Sequence, residues 1–284
     1  MEWFKHRWLG VALMMWALSA TASSRDEVRK QAEISMLVAG SINIEADGSV
    51  SAHRLDQKGE LPDGVVRLID AAIVGWRFEP IVENGRTVAA RAPMSLRLVA
   101  RGVGADDYAV RIASARFGEE REGEFVTTNG KLAAPKYPEE AVRYGVGGTV
   151  YLVLQIGRNG KPIQVIAEQV NLTAVDDERG MRRWREMLGR TAVQTARRWQ
   201  FDLPTSGPEV DAPYWSLRVP VDFVPPDQEG PKHGEWRAYI PGSKEQIPWK
   251  LRTDDNAIGA DAFVTNGIYP IGKGPRLLTP LESS

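Results

Sequence analysis

The chain has 284 residues, 43% of them hydrophobic, with 36 lysines and arginines against 37 aspartates and glutamates and a formal net charge of -1. That length accommodates one large domain or two ordinary ones with real cores, and the near-neutral balance gives no global field directed at nucleic acid or an anionic surface. The absence of cysteine excludes disulfides, thiolate zinc sites and cysteine nucleophiles, and leaves the redox compartment undecided.

At the start, Lys5, His6 and Arg7 form a basic segment, Trp8 to Leu18 an apolar one, and Ala20-Thr21-Ala22 a small-residue cleavage signal. The apolar stretch is shorter than the roughly 20 residues a bilayer span needs. Residues 1–22 are therefore read as a signal peptide for export to the periplasm. The alternative reading is a short inner-membrane anchor with the remaining chain facing the periplasm.

After a charged lead-in from Arg25 to Glu33, Gly40, Ile42, Ile44, Asp47-Gly48 and Val50 read as a strand and tight turn. Val65, Leu68, Ile69, Ala72, Ile73 and Trp76 then step along one helical face. Asn84-Gly85 is another turn, and Met94, Leu96 and Leu98 alternate as a strand. Tyr108, Val110 and Ile112 predict an added strand, and the stretch 116–134 is charged and glycine-punctuated like a linker.

Pro135-Lys136-Tyr137-Pro138 sets two prolines around a tyrosine, a rigid extended approach to a short helix that begins only after Pro138. From Thr149 to Ile156 apolar residues alternate, and Tyr151 and Val153 on the other face predict a strand buried on both sides, hence central. Asn159-Gly160 turns the chain into a second strand running to Val170. Met181, Trp184, Leu188, Ala192, Ala196 and Trp199 make one continuous helical stripe, with most of the nearby arginines off it. Trp215, Leu217, Val219, Val221 and Phe223 alternate as a last strand, and Pro220 places that strand at a sheet edge. The tail, 225–284, is rich in Pro and Gly with scattered aromatics, and reads as an irregular extension packing in patches over the 135–224 unit.

No catalytic motif emerges. His6, His53 and His233 have no acidic or nucleophilic neighbour at a recognisable spacing and are read as ordinary polar positions. Around Asp254-Asp255-Asn256 the glycine and terminal glutamate do not fall together in the places of a hand-type calcium loop, and Gly102-Val103-Gly104 lacks the context of a phosphate cradle. Neither GxSxG nor HExxH occurs. No metal, no cofactor and no catalytic residue is expected. The arginines of the long helix are interleaved with Glu178 and Glu186, and read as a solvated face and not a nucleic-acid surface.

The pattern Pro135-x-Tyr137-Pro138-x-x-Ala141, Gly148-x-Val150-x-Leu152, Asn159-Gly160, Trp199-Gln200-Phe201 and the strand through Val219 and Phe223 resembles the C-terminal domain of the TonB energy transducers. Trp76-Arg77-Phe78-Glu79-Pro80 is similar to the same signature, so residues 35–115 are read as a second, degenerate copy, an internal repeat without the proline-tyrosine-proline approach. The resemblance implies an α+β fold of two TonB C-terminal-like modules, each a small antiparallel sheet packed with one or two helices. It also implies docking of an extended peptide from an outer-membrane TonB-dependent transporter by strand addition. Carried over residue by residue, Tyr137 and Pro138 position the peptide, and Arg218, Val219, Val221 and Phe223 receive it. Inner-membrane motor proteins would join as partners if the chain is anchored. The alternative function is a structural or self-associating periplasmic module, in which two units or a homodimer satisfy each other's strand edges.

Overall fold

The computed structural model describes residues 24–83, 85–102, 108–118, 123–128, 130, 132–230, 232–249, 251, 267–272 and 274–281. The signal-peptide reading, Asn84, Val103-Gly104 and the Asp254-Asp255-Asn256 stretch lie outside these residues. Among the described residues no helix is long and apolar enough to cross a membrane.

Two antiparallel sheets, each with its own apolar core, organise the chain. The first is built from β1 (Glu33–Ile44), β2 (Val50–Leu55), β5 (Ala90–Gly102) and β6 (Tyr108–Phe117), with a small separate hairpin of β3 (Ile81–Glu83) and β4 (Arg86–Val88). β1 lies between β2 and β5, and β6 pairs with the far side of β5. Helix α1 (Asp63–Val74) buries Val65, Ile69 and Ile73, an i, i+4, i+8 stripe that meets Met36, Val38, Leu96 and Leu98 in the core. Trp76 and Phe78 close it, both edge-on to Phe117 of β6.

The second sheet follows the short helix α2 (Glu139–Arg143) and contains β7 (Gly148–Ile156), β8 (Pro162–Leu172) and β9 (Trp215–Phe223). β7 is central, between β9 and β8. Val150, Leu152, Leu154 and Ile156 are fully buried under helix α3 (Glu178–Ala196), while Tyr151 and Val153 are buried on the opposite face. Helix α3 presents Met181, Trp184, Leu188, Ala192 and Ala196 to that core. Asp177 caps its start by accepting from the Gly180 N–H at 2.8 Å, which satisfies an otherwise orphaned donor.

The same order of hairpin, helix and returning strand thus occurs on each sheet. Each hairpin carries a glycine where the returning chain passes closely. At Gly48 (φ 82°) a Cβ would lie 2.0 Å from the Phe78 carbonyl oxygen, and at Gly160 (φ 71°) one would lie 2.3 Å from that of Phe201. Both close approaches are fastened by hydrogen bonds, from the Phe78 N–H to the Gly48 carbonyl and from the Phe201 N–H to the Gly160 carbonyl.

The tail reaches both sheets, not the second alone. β10 (Arg237–Tyr239) pairs with the first residues of β1, and His233 Nε2 accepts from the Ala39 N–H at 3.0 Å, filling the gap between β10 and β2 along β1. Ile240 exchanges backbone hydrogen bonds with Leu172, and the Glu245 N–H donates to the Glu168 carbonyl, so the tail follows the outer edge of β8. Trp249 crosses the sheet face to donate to Ser216 Oγ at 3.1 Å. β11 (Tyr269–Pro270) then pairs with β9, and residues 276–279 return to the Arg77–Glu79 strand-end of the first unit.

Candidate functional site

The outer edge of β9 is the place the sequence singles out, and alternation along the strand decides what it can offer. Leu217, Val219, Val221 and Phe223 point into the α3 core and are at most 8% exposed. Three of the four residues expected to receive a peptide have therefore committed their side chains to the fold. What remains at the edge is main chain.

Arg218 points to the other face and meets Glu168 in a two-pronged ion pair, Nε to Oε2 at 2.7 Å and Nη2 to Oε1 at 3.0 Å. Both residues are essentially inaccessible, and Lys244 of the tail comes within 3.4 Å of the same carboxylate. Glu168 arrives there through a bulge: Tyr151 faces Gln169 while Leu152 faces Ala167, leaving Glu168 as the extra residue of β8. Glu168, Arg218, Lys244 and Trp249 line a cavity of about 400 Å³ under the tail. The charges there answer one another, so the cluster anchors β9 to β8 across the sheet.

Tyr137 and Pro138 sit at the opposite end of β9. The Tyr137 hydroxyl donates to the Val146 carbonyl at 2.8 Å, and its ring packs edge-on against Phe223 with centroids 5.5 Å apart. Burial, aided by the charge of Asp227, pushes its hydroxyl pKa up to about 12. Pro138 precedes α2 in extended conformation, and Trp199 Nε1 holds the same approach segment by donating to the Ala133 carbonyl at 2.9 Å. The structure thus joins Tyr137 to Phe223 and puts Arg218 on the other face, in a separate cluster.

β11 shows how the edge pairs. Tyr269 faces Arg218 and Pro270 faces Leu217 in antiparallel register, and the Ile271 N–H donates to the Ser216 carbonyl at 2.9 Å. Bonded and non-bonded pairs alternate along such a ladder, so Pro270 falls where its missing N–H points away from β9. The same alternation turns the Pro220 nitrogen outward, in step with Ser216 and Arg218. β9 therefore keeps its register with β7 through Pro220 and offers one donor fewer on its outer side.

The remaining candidates make local contacts. His53 Nε2 lies 2.7 Å from Asp70, with Lys58 at 3.3 Å, and the His53 hydrogen bond leads in holding the Asp70 carboxyl below its ordinary range. Arg183 pairs with Glu140, and Arg185 donates to the carbonyls of Val170 and Pro241. Among the described residues no group of three or more His, Asp or Glu could hold a metal ion.

A stretch of 90 residues, 32% of this chain, is 36% identical to Protein TonB of two strains of Xanthomonas campestris pv. campestris, of which it covers 34%. The chain thus spans about a third of the length of the curated relatives it matches. That similarity supports a TonB-like C-terminal domain in this chain. No family model and no solved structure matches.

Proposed function

We propose that residues 135–224 form a TonB-like docking unit that takes up an extended peptide of an outer-membrane transporter as an added strand on β9, with no catalytic role. One observation carries this reading: the outer edge of β9 accepts an antiparallel strand at Leu217 and Arg218. In such docking the main-chain ladder supplies affinity and the alternate side chains of the incoming strand supply selectivity. Tyr137 and Pro138 then act by fixing the end of β9 near Phe223, and Arg218 by tying β9 across β7 to Glu168 of β8. The first sheet would be a degenerate copy of the same unit, supported by the shared element order and the paired Gly48 and Gly160 contacts. Export places the unit in the periplasm. A part in energy transduction requires in addition that residues 1–22 anchor the chain beside an inner-membrane motor.

The test is a titration of labelled transporter-derived peptides into the mature protein, following the amides of Trp215 to Phe223. Docking moves them in a saturable way, and silence at millimolar peptide sinks the reading. A second reading, a structural module whose edges are satisfied from within or by a second copy, draws support from the tail's pairing with β1, β8 and β9. It predicts the same amides to be protected without peptide, and more so as protein concentration rises if a homodimer forms.

A further inference from the structure

β11 occupies the same edge that the docking reading assigns to a peptide. It is also built unlike the other strands. It is two residues long, and the hydrogen bond from Ile271 to Ser216 extends it by a single step. The chain on its C-terminal side is held much more firmly. The Glu79 N–H donates to the Arg276 carbonyl, the Leu278 N–H donates to the Arg77 carbonyl, and the Arg77 N–H donates to Thr279 Oγ1 at 2.8 Å. Leu277 bridges to Phe78 and packs with Leu281 on the first core. Tyr269 is steered from the first sheet as well, with the Arg116 guanidinium 4.5 Å from its ring centroid.

Resting on the docking reading, we infer that β11 is a built-in occupant of the β9 edge, tethered through residues 276–279 to the first sheet and displaced when a longer extended peptide pairs with β9. The physical basis is a competition between unequal ladders. An incoming strand of five or six residues makes more main-chain bonds than β11 makes, while the tether keeps β11 at high local concentration and returns it when the peptide leaves. The outward-facing absence of an N–H at Pro270 has a second consequence: with β11 in place, the edge it creates lacks a donor and resists pairing with another copy. The first sheet then serves as the post to which the occupant is tied.

The native chain has no cysteine, so the double substitution Ser216→Cys with Ile271→Cys supplies a single bond that locks β11 onto β9 on oxidation and frees it on reduction. These residues face each other in the extended register, within the span a disulfide bridges. The probe is a set of fluorescent ten-residue peptides copied from extended segments of outer-membrane transporters. Ile271→Pro in the otherwise native chain removes the extra hydrogen bond without touching β9. The expected pattern is peptide binding at least tenfold weaker in the oxidised than in the reduced double variant, with Ile271→Pro several-fold tighter than the native chain. In the absence of peptide, exchange of the Arg218 amide should likewise be at least tenfold slower when locked. Equal peptide affinity in the oxidised and reduced forms, with Trp215 to Phe223 responding in both, overturns the occlusion and leaves docking intact. No binding to any form, including Ile271→Pro, refutes docking itself and removes the occupant's role with it.

Discussion

The two sheets place the same kind of strand at the same position and finish it differently. In the first, β5 is covered along its outer edge by the ten-residue β6, which follows it directly in the chain and pairs from Met94 to Gly102. In the second, β9 is met there only by the two-residue β11, which comes from the far end of the tail. β6 also contributes Ile112, Ala115 and Phe117 to its core, whereas neither residue of β11 belongs to the second core. A strand woven into a core cannot be exchanged. A strand held by a few main-chain bonds can, and the proposed exchange at β9 rests on that difference.

The strongest way to break this comparison is to remove what each returning strand depends on. Arg218→Ala leaves the inaccessible Glu168 carboxylate with the half-exposed Lys244 at 3.4 Å in place of its two-pronged partner, and loss of one partner of a buried ion pair costs about 3–5 kcal/mol. Phe117→Ala empties the ring site against Trp76 and Phe78 and costs about 3–5 kcal/mol. Denaturant unfolding of each variant measures both. If β6 and β11 were equivalent, Ile271→Pro would match the Phe117→Ala loss; the expected cost is that of one exposed hydrogen bond, about 1 kcal/mol.

A smaller effect sharpens the similarity and not the difference. Alanine at Gly48 or Gly160 must adopt positive φ and push its Cβ into a carbonyl, and a strained backbone of that kind costs about 1–3 kcal/mol. Matching losses in the two variants would support a shared hairpin design. A loss confined to Gly160→Ala would argue that the two hairpins only look alike.

Much of the second sheet was legible because its signals are local. Apolar residues on both faces of Thr149 to Ile156 marked the central strand, and the stripe from Met181 to Trp199 marked the helix above it. Pro220 marked β9 as an edge strand, and the two-residue β11 covers that edge at Leu217 and Arg218. The Arg218–Glu168 pair was missed, yet a trace of it stands in the sequence. The core-facing residues of β8 fall on odd numbers at Val165 and Ala167 and on even numbers at Val170 and Leu172, the change of phase that a bulge at Glu168 produces. The tail was illegible for a physical reason. Its pairings at Tyr239, Ile240 and Tyr269 are too short to set up any period, and what selects them is the vacant edge they fill, which lies far away in the chain.

The mildest test concerns the approach segment, which the second sheet has and the first lacks. Tyr137→Phe removes the hydrogen bond to the Val146 carbonyl and should cost about 1 kcal/mol at neutral pH, while leaving the ring against Phe223. Its more telling signature is in alkali. The folded chain holds the Tyr137 hydroxyl neutral up to about pH 12, against 10 for an ordinary tyrosine, so between those values the folded state binds a proton that the unfolded state has released. Stability from this group is therefore complete below about pH 10 and drains away as pH rises towards 12. An unfolding profile across that interval should fall more steeply for the native chain than for Tyr137→Phe. Equal slopes would mean that the approach segment is loosely seated, and that β9 ends near Phe223 without the support that sets this sheet apart from its neighbour.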